Sequence, residues 1–285
     1  MEILQYILAM GGYFVILLVI TAFMRKNYKA ANIIWIASLL TFPLWLNNVE
    51  GWFRWAKTLS VLLPTIIVGL SRVATIENKS GKFWQLFQRQ WVMWFLYGIL
   101  FLNIMEATMK DFEMGNNLNA LCGVILCLTI PYPGKFWNVG KNMNKGGYGD
   151  LVVYTTIGWN LLYTTWNACF VYGETGAYFA SSLCIIFAAE LYPIIKRRPE
   201  LYVMTRVYTL ATHILIRACW GGVFPQIMDA STWHNEQILQ NWGVINGLIC
   251  VPYALWFIWQ LHTGKANTTF KKGELRNTNN KMKVA

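Results

Sequence analysis

The chain has 285 residues, of which 56% are hydrophobic and 13% charged, with a formal net charge of +11. The charged fraction is about half that of soluble domains, and no polar stretch is long enough to build a separate core, so a soluble globular domain is excluded. A basic balance would suit nucleic acid in a soluble protein. Here the cations sit in short loops between apolar segments, so membrane lipids, not nucleic acid, are the expected partners.

A helix crossing the hydrocarbon needs about 20 apolar residues, with roughly 17 to 25 tolerated. Nine stretches are read as such spans: residues 3–24, 31–47, 55–73, 91–109, 117–132, 151–172, 176–195, 201–223 and 238–262. The first follows Glu2 and is trailed by Arg25 and Lys26, so it reads as a retained anchor and not as a signal peptide. The third has only Thr58 to Ser71 between Lys57 and Arg72, and both cations must snorkel or find partners. The fifth is short and ends at Pro131.

Charge placement orients the spans. With the N-terminus outside, the inner loops and the tail hold 19 of the 24 basic residues, as the positive-inside rule requires. The expected fold class is an all-α, polytopic transmembrane helical bundle of about nine spans, N-terminus outside and C-terminus inside. Residues 1–264 form one membrane domain, and 265–285 a basic tail expected to be disordered. The 15 Trp and 14 Tyr suit interfacial belts. The six cysteines lie in apolar segments without a CxxC pair, and no metal motif occurs, so no metal or cofactor is expected. The glycine-rich run Lys145 to Gly149 reads as a flexible inner loop.

Polar residues at membrane depth carry the functional reading, because hydrocarbon rejects them unless they are sheltered. In the sixth stretch Thr156, Asn160, Tyr163 and Asn167 share one helix face, flanked by Trp159 and Trp166. They serve either as interhelical glue or as the lining of a ligand cavity. The fourth stretch carries Asn103, Glu106 and Lys110; Glu106 is either paired with Lys110 or a functional carboxylate. The eighth carries Arg206, His213 and Arg217 on one face, with Arg206 placed to snorkel inward and Arg217 needing a partner such as Glu106, Asp111 or Glu50. Glu190 is expected to pair with Arg206 or with the Lys196 to Arg198 cluster. The loops at residues 47–55 and 229–237 are candidates to cap a common outer cavity.

Three runs, Trp52 to Lys57, Asn103 to Ala107 with Lys110 to Phe112, and Trp166 to Tyr172, resemble an uncharacterised family of bacterial multi-pass integral membrane proteins. The resemblance implies a bacterial plasma-membrane location and supplies no activity. The leading expectation is a transporter or channel-like protein for a small solute or ion. Its polar and aromatic site in the outer half comprises Glu106, Asn160, Tyr163, Asn167, Arg217, Trp159, Trp166 and His213. The alternatives are a membrane enzyme acting on a lipid or lipid-linked substrate, with Glu106 and His213 as acid and base, and a sensor or assembly subunit.

Overall fold

Each of the nine apolar stretches contains a helix in the computed structural model, which describes residues 3–140 and 148–266. The chain runs α1 (Ile3–Lys26), α2 (Tyr28–Ala37), a 3-10 turn (Ser38–Thr41) into α3 (Phe42–Asn48), α4 (Gly51–Ile76), α5 (Lys82–Phe87), α6 (Trp91–Glu113), α7 (Asn117–Thr129) and α8 (Pro133–Phe136). It continues through strands β1 (Trp137–Val139) and β2 (Leu151–Val153) to α9 (Ile157–Glu174), α10 (Phe179–Lys196), α11 (Tyr202–Cys219), α12 (Val223–Met228) and α13 (Glu236–His262). The tail from residue 267 and most of the glycine-rich run fall outside the described residues.

Six helical segments are long and apolar enough to cross a membrane: Ile3–Lys26, Tyr28–Asn48, Arg54–Ile76, Trp91–Glu113, Gly176–Lys196 and Glu236–His262. The other three expected spans fall short for identifiable reasons. α7 has only 13 residues. α9 and α11 have 18 residues each, and 11 of the 18 are buried in both, so they are central helices whose neighbours are protein. A central helix can carry polar residues that a peripheral one cannot. α1 and α13 are peripheral, burying five of 24 and six of 27 residues.

The sixth stretch needs correcting at its start. Residues 151–153 are strand, paired antiparallel with β1 so that Trp137 faces Val153 and Val139 faces Leu151. The β-branched and aromatic run Val152-Val153-Tyr154-Thr155-Thr156 favours extended backbone, and hydropathy alone does not separate it from helix. The helix begins only at Ile157, where Thr156 Oγ1 accepts from the Trp159 amide at 3.0 Å. In the eighth stretch α11 likewise stops at Cys219, before Gly221 and Gly222.

The hairpin end of the bundle is closed by cations in the interior. Arg72 is fully buried and spends all five N–H donors: on the carbonyls of Met24 (3.0 Å), Arg25 (2.7 Å), Tyr148 (2.9 Å) and Gly149 (2.9 Å), and on Tyr208 Oη (2.6 Å). Two of those carbonyls are orphans at the C-terminus of α1, which a cation suits. Asp150, also buried, accepts a bidentate pair from Arg25 (2.9 Å each) and a third bond from Arg198 (2.8 Å). Gly149 has φ +61°, and a side chain there would collide with Ile76. The end of the glycine-rich run is therefore docked against the bundle.

On the far side α7, α9 and α13 lock through a buried polar chain. Asn119 Nδ2 donates to Asp111 Oδ2 (2.8 Å), Asn246 Nδ2 to Asn119 Oδ1 (2.7 Å), and Thr165 Oγ1 to Asn246 Oδ1 (2.8 Å). These amides, Asn119 and Asn246, join helices through hydrogen bonds, a role that the sequence reading offers only for Asn160 and Asn167. Gly123 permits the close approach of α7 to α6 and α9, since a Cβ there would strike Thr108 and Trp166.

Candidate functional site

Between α4, α6, α9, α10 and α11 lies a cavity of about 570 Å³, within the range of ligand sites. Each helix contributes one stripe at helical spacing. α6 offers Leu96, Leu100, Asn103, Glu106 and Lys110; α11 offers Tyr202, Arg206, Leu210, His213 and Arg217. The stretch from Tyr202 to Arg217 covers about 22 Å at 1.5 Å per residue, roughly two-thirds of a hydrocarbon core. The floor, Leu151, Trp159 and Tyr202, is buried beside the Asp150 clamp, whereas Arg54 and Glu174 at the opposite rim are exposed. The cavity therefore opens at the end away from the hairpin.

Its charge is one-sided. Five basic side chains line it, Arg54, Lys57, Lys110, Arg206 and Arg217, against two carboxylates, Glu106 and Glu174. These five are the whole of the basic residues that the cation-rich loops and tail leave over. Lys57 binds Glu106 at 2.7 Å and Lys110 binds Glu174 at 2.6 Å. Both contacts cross between helices. Glu106 thus pairs with Lys57 on α4 instead of with Lys110 four residues on, and Lys57 finds a partner instead of snorkelling.

Arg217 pairs with none of its three expected partners. It lies over the Tyr178 ring, 3.8 Å from the centroid, a cation–π contact. Asp111 is occupied by Asn119 on the packed side. Arg206 turns into the cavity: its Nη2 donates to Asn167 Oδ1, its guanidinium lies 5.9 Å from the Tyr163 ring centroid, and its Nε and Nη1 have no hydrogen-bond partner. Glu190 accepts from Thr164 Oγ1 at 2.9 Å and is bonded to none of its expected cations.

The structure brings Glu106, Tyr163, Asn167, Arg217, Trp159, Trp166 and His213 to this one cavity. Asn160 is absent from the lining. It shares the azimuth of Asn167, but two turns lower the α10–α11 connection covers that face, and Asn160 Nδ2 donates to the Pro199 carbonyl at 3.2 Å. Trp159 and Trp166 are 1% exposed and stack on Tyr163 and Phe170 (centroids 5.2 and 6.3 Å apart), so they back the wall more than they face the space. His213 is 1% exposed, with Nδ1 3.1 Å from Tyr13 Oη and Nε2 without a partner. Of the two candidate capping loops, Asn48 and Arg54 reach the cavity. The 229–237 loop does not line it: Tyr6 donates to the Asp229 carbonyl, and Tyr172 to that of Trp233 at 2.6 Å.

The sequence reading does not count Arg54, Lys57, Lys110 and Arg206 among the site residues. The signal was their exclusion from the cation-rich loops. Comparison with protein-family models, curated proteins and solved structures finds no match, so the site's geometry carries the functional reading.

Proposed function

We propose that the chain is a multi-pass membrane carrier with nine crossings, N-terminus outside, that takes a small solute into the cavity from the outer face. The six long apolar helices support the membrane setting, and lipid of a bacterial plasma membrane would cover faces such as those of α1 and α13. α7, α9 and α11 complete the nine crossings, α9 and α11 as interior helices. The observation that carries the reading is a deep cavity, open at one end and closed at the other beside Arg72 and the Asp150 clamp. Alternating access requires an occluding element at each end, and the β1–β2 hairpin is placed to be the inner one.

A lipid-acting enzyme would need Glu106 and His213 as its acid and base. Glu106 is held by Lys57 and His213 by Tyr13, which does not favour that alternative. The six native cysteines are free and buried, so a cavity cysteine at Ile214 can be read against a quiet background. Ile214→Cys is expected to react with a membrane-impermeant maleimide from outside, and from inside once transported solute shifts the population. Labelling from one face only, under every solute tested, would count against a carrier.

A further inference from the structure

The Lys57–Glu106 pair stands between two spaces. On one side is the main cavity; on the other is a groove of about 300 Å³ between α4 and α6, bounded by Trp52, Ala56 and Leu102. Both spaces share Lys57, Asn103 and Glu106 as a wall. The groove faces outward from the bundle, since Trp52 and Leu102 are 81% and 62% exposed.

In the main cavity both carboxylates are already bound to lysines, while Arg54, Arg206 and Arg217 have no carboxylate within ion-pair distance among the described residues. Like charges sharing a low-dielectric space are costly, and an anion is the group that offsets them. Arg206 Nε and Nη1 and His213 Nε2 are buried polar atoms without partners on the same α11 stripe. Nε2 is a donor in the tautomer in which Tyr13 donates to Nδ1. Guanidinium forks match the oxygens of carboxylate and phosphate. Interleaved with them, Leu210 and Ile214 present apolar surface to the cavity.

We propose that the cavity takes an amphiphilic anion. Its carboxylate or phosphate head sits between Arg206 and His213, whose unpartnered nitrogens face it, and Arg217, about 16 Å from Arg206 along α11, adds positive charge at longer range. Its apolar portion lies against Leu210 and Ile214 and passes Lys57 and Glu106 into the α4–α6 groove. The assignment deepens the reading of the cavity as the solute site and rests on it. A free amphiphilic acid and an anionic lipid share this chemistry.

The test uses the full chain in phosphatidylcholine nanodiscs. Melting is followed against decanoate, decyl phosphate and decyltrimethylammonium, each below its micelle-forming concentration, against acetate and inorganic phosphate, and with phosphatidylglycerol built into the disc. An anionic amphiphile is expected to raise the melting temperature with dose, while the chainless anions and the cation leave it unchanged. A response to phosphatidylglycerol alone assigns the source to the bilayer; a response to decanoate or decyl phosphate assigns it to a free acid. The Arg206→Gln/Arg217→Gln double variant is expected to weaken binding about 10- to 100-fold, as loss of charge-assisted hydrogen bonds does. Arg206→Lys/Arg217→Lys keeps the charge and recovers part of it, and Ala56→Trp weakens binding by filling the groove. Two wild-type results, independent of any variant's folding, overturn the assignment: equal stabilisation by the cation, or none by any anionic amphiphile. Saturable anion binding without flux in proteoliposomes would remove the carrier reading and leave the anion; flux of a cation that no anion inhibits would do the reverse.

Discussion

The hairpin end and the cavity are built from the same residue types and finish differently. At the hairpin end Arg72 uses every donor, and Asp150 is gripped by two arginines. In the cavity Arg206 uses one of its nitrogens and leaves two without partners. A buried cation with every bond made fixes a structure, because removing it strands several acceptors. A cation with donors to spare beside a cavity is suited to something that comes and goes. Residue types are alike in the two regions, so the state of the hydrogen bonds separates structural from functional charge.

The sharpest way to break that contrast is Arg72→Met. It strands four carbonyls and a tyrosine hydroxyl, and is expected to cost about 3–5 kcal/mol or abolish folding, read by thermal melting and size-exclusion profile. A melt near wild type would mean that the clamp is not structural.

Asp150→Asn comes next, at about 3 kcal/mol, because it leaves Arg25 and Arg198 without their carboxylate. It is also expected to loosen the floor, so that Leu151→Cys in that background reacts faster with maleimide applied from the hairpin side. An unchanged labelling rate would count against the hairpin as the occluding element.

A matched pair of amides sharpens the boundary of the cavity. Asn160→Ala is expected to cost about 1 kcal/mol through the bond to Pro199 and to leave amphiphile binding alone. Asn167→Ala releases Arg206 Nη2 and is expected to change that binding. Equal effects on binding from both would place the ligand lower than the cavity geometry does.

The Lys57–Glu106 pair should count for less. Its side chains are 30% and 27% exposed, and a double-mutant cycle with Lys57→Met and Glu106→Gln is expected to return a coupling below about 1 kcal/mol. The smallest effect is at Glu77, just beyond α4. The Tyr28 hydroxyl and then Lys29 hold its carboxyl below the usual carboxylate value. Its contribution is present above that ordinary value and lost as pH falls through the lowered one. Glu77→Gln should remove that part of the acid dependence of melting, and no change on substitution would show the contact to be silent.

Much of the scaffold was legible because hydrocarbon imposes a strong filter on sequence. Each of the nine apolar stretches contains a helix, and Glu106, Asn167, His213 and Arg217 stand out as polar groups that line the cavity. Strand β2 was not legible, since Leu151–Val153 is as apolar as a span and only its pairing with β1 shows what it is. The partners of Glu106 and Arg217 were not legible either. Helical spacing relates residues along one helix, whereas Lys57 and Tyr178 come from α4 and the start of α10.

The sequence by itself determined that this chain is helical and apolar, where its cations concentrate, and which few polar residues hydrocarbon would not tolerate alone. Those are one-dimensional properties, set by transfer free energy and helical period. Only the tertiary structure decided which of those residues satisfy one another and which are left facing a cavity. Arg72 and Arg206 each lie inside a helix with apolar neighbours along the chain. The positions of carbonyls on other helices make one a clamp and leave the other with donors to offer.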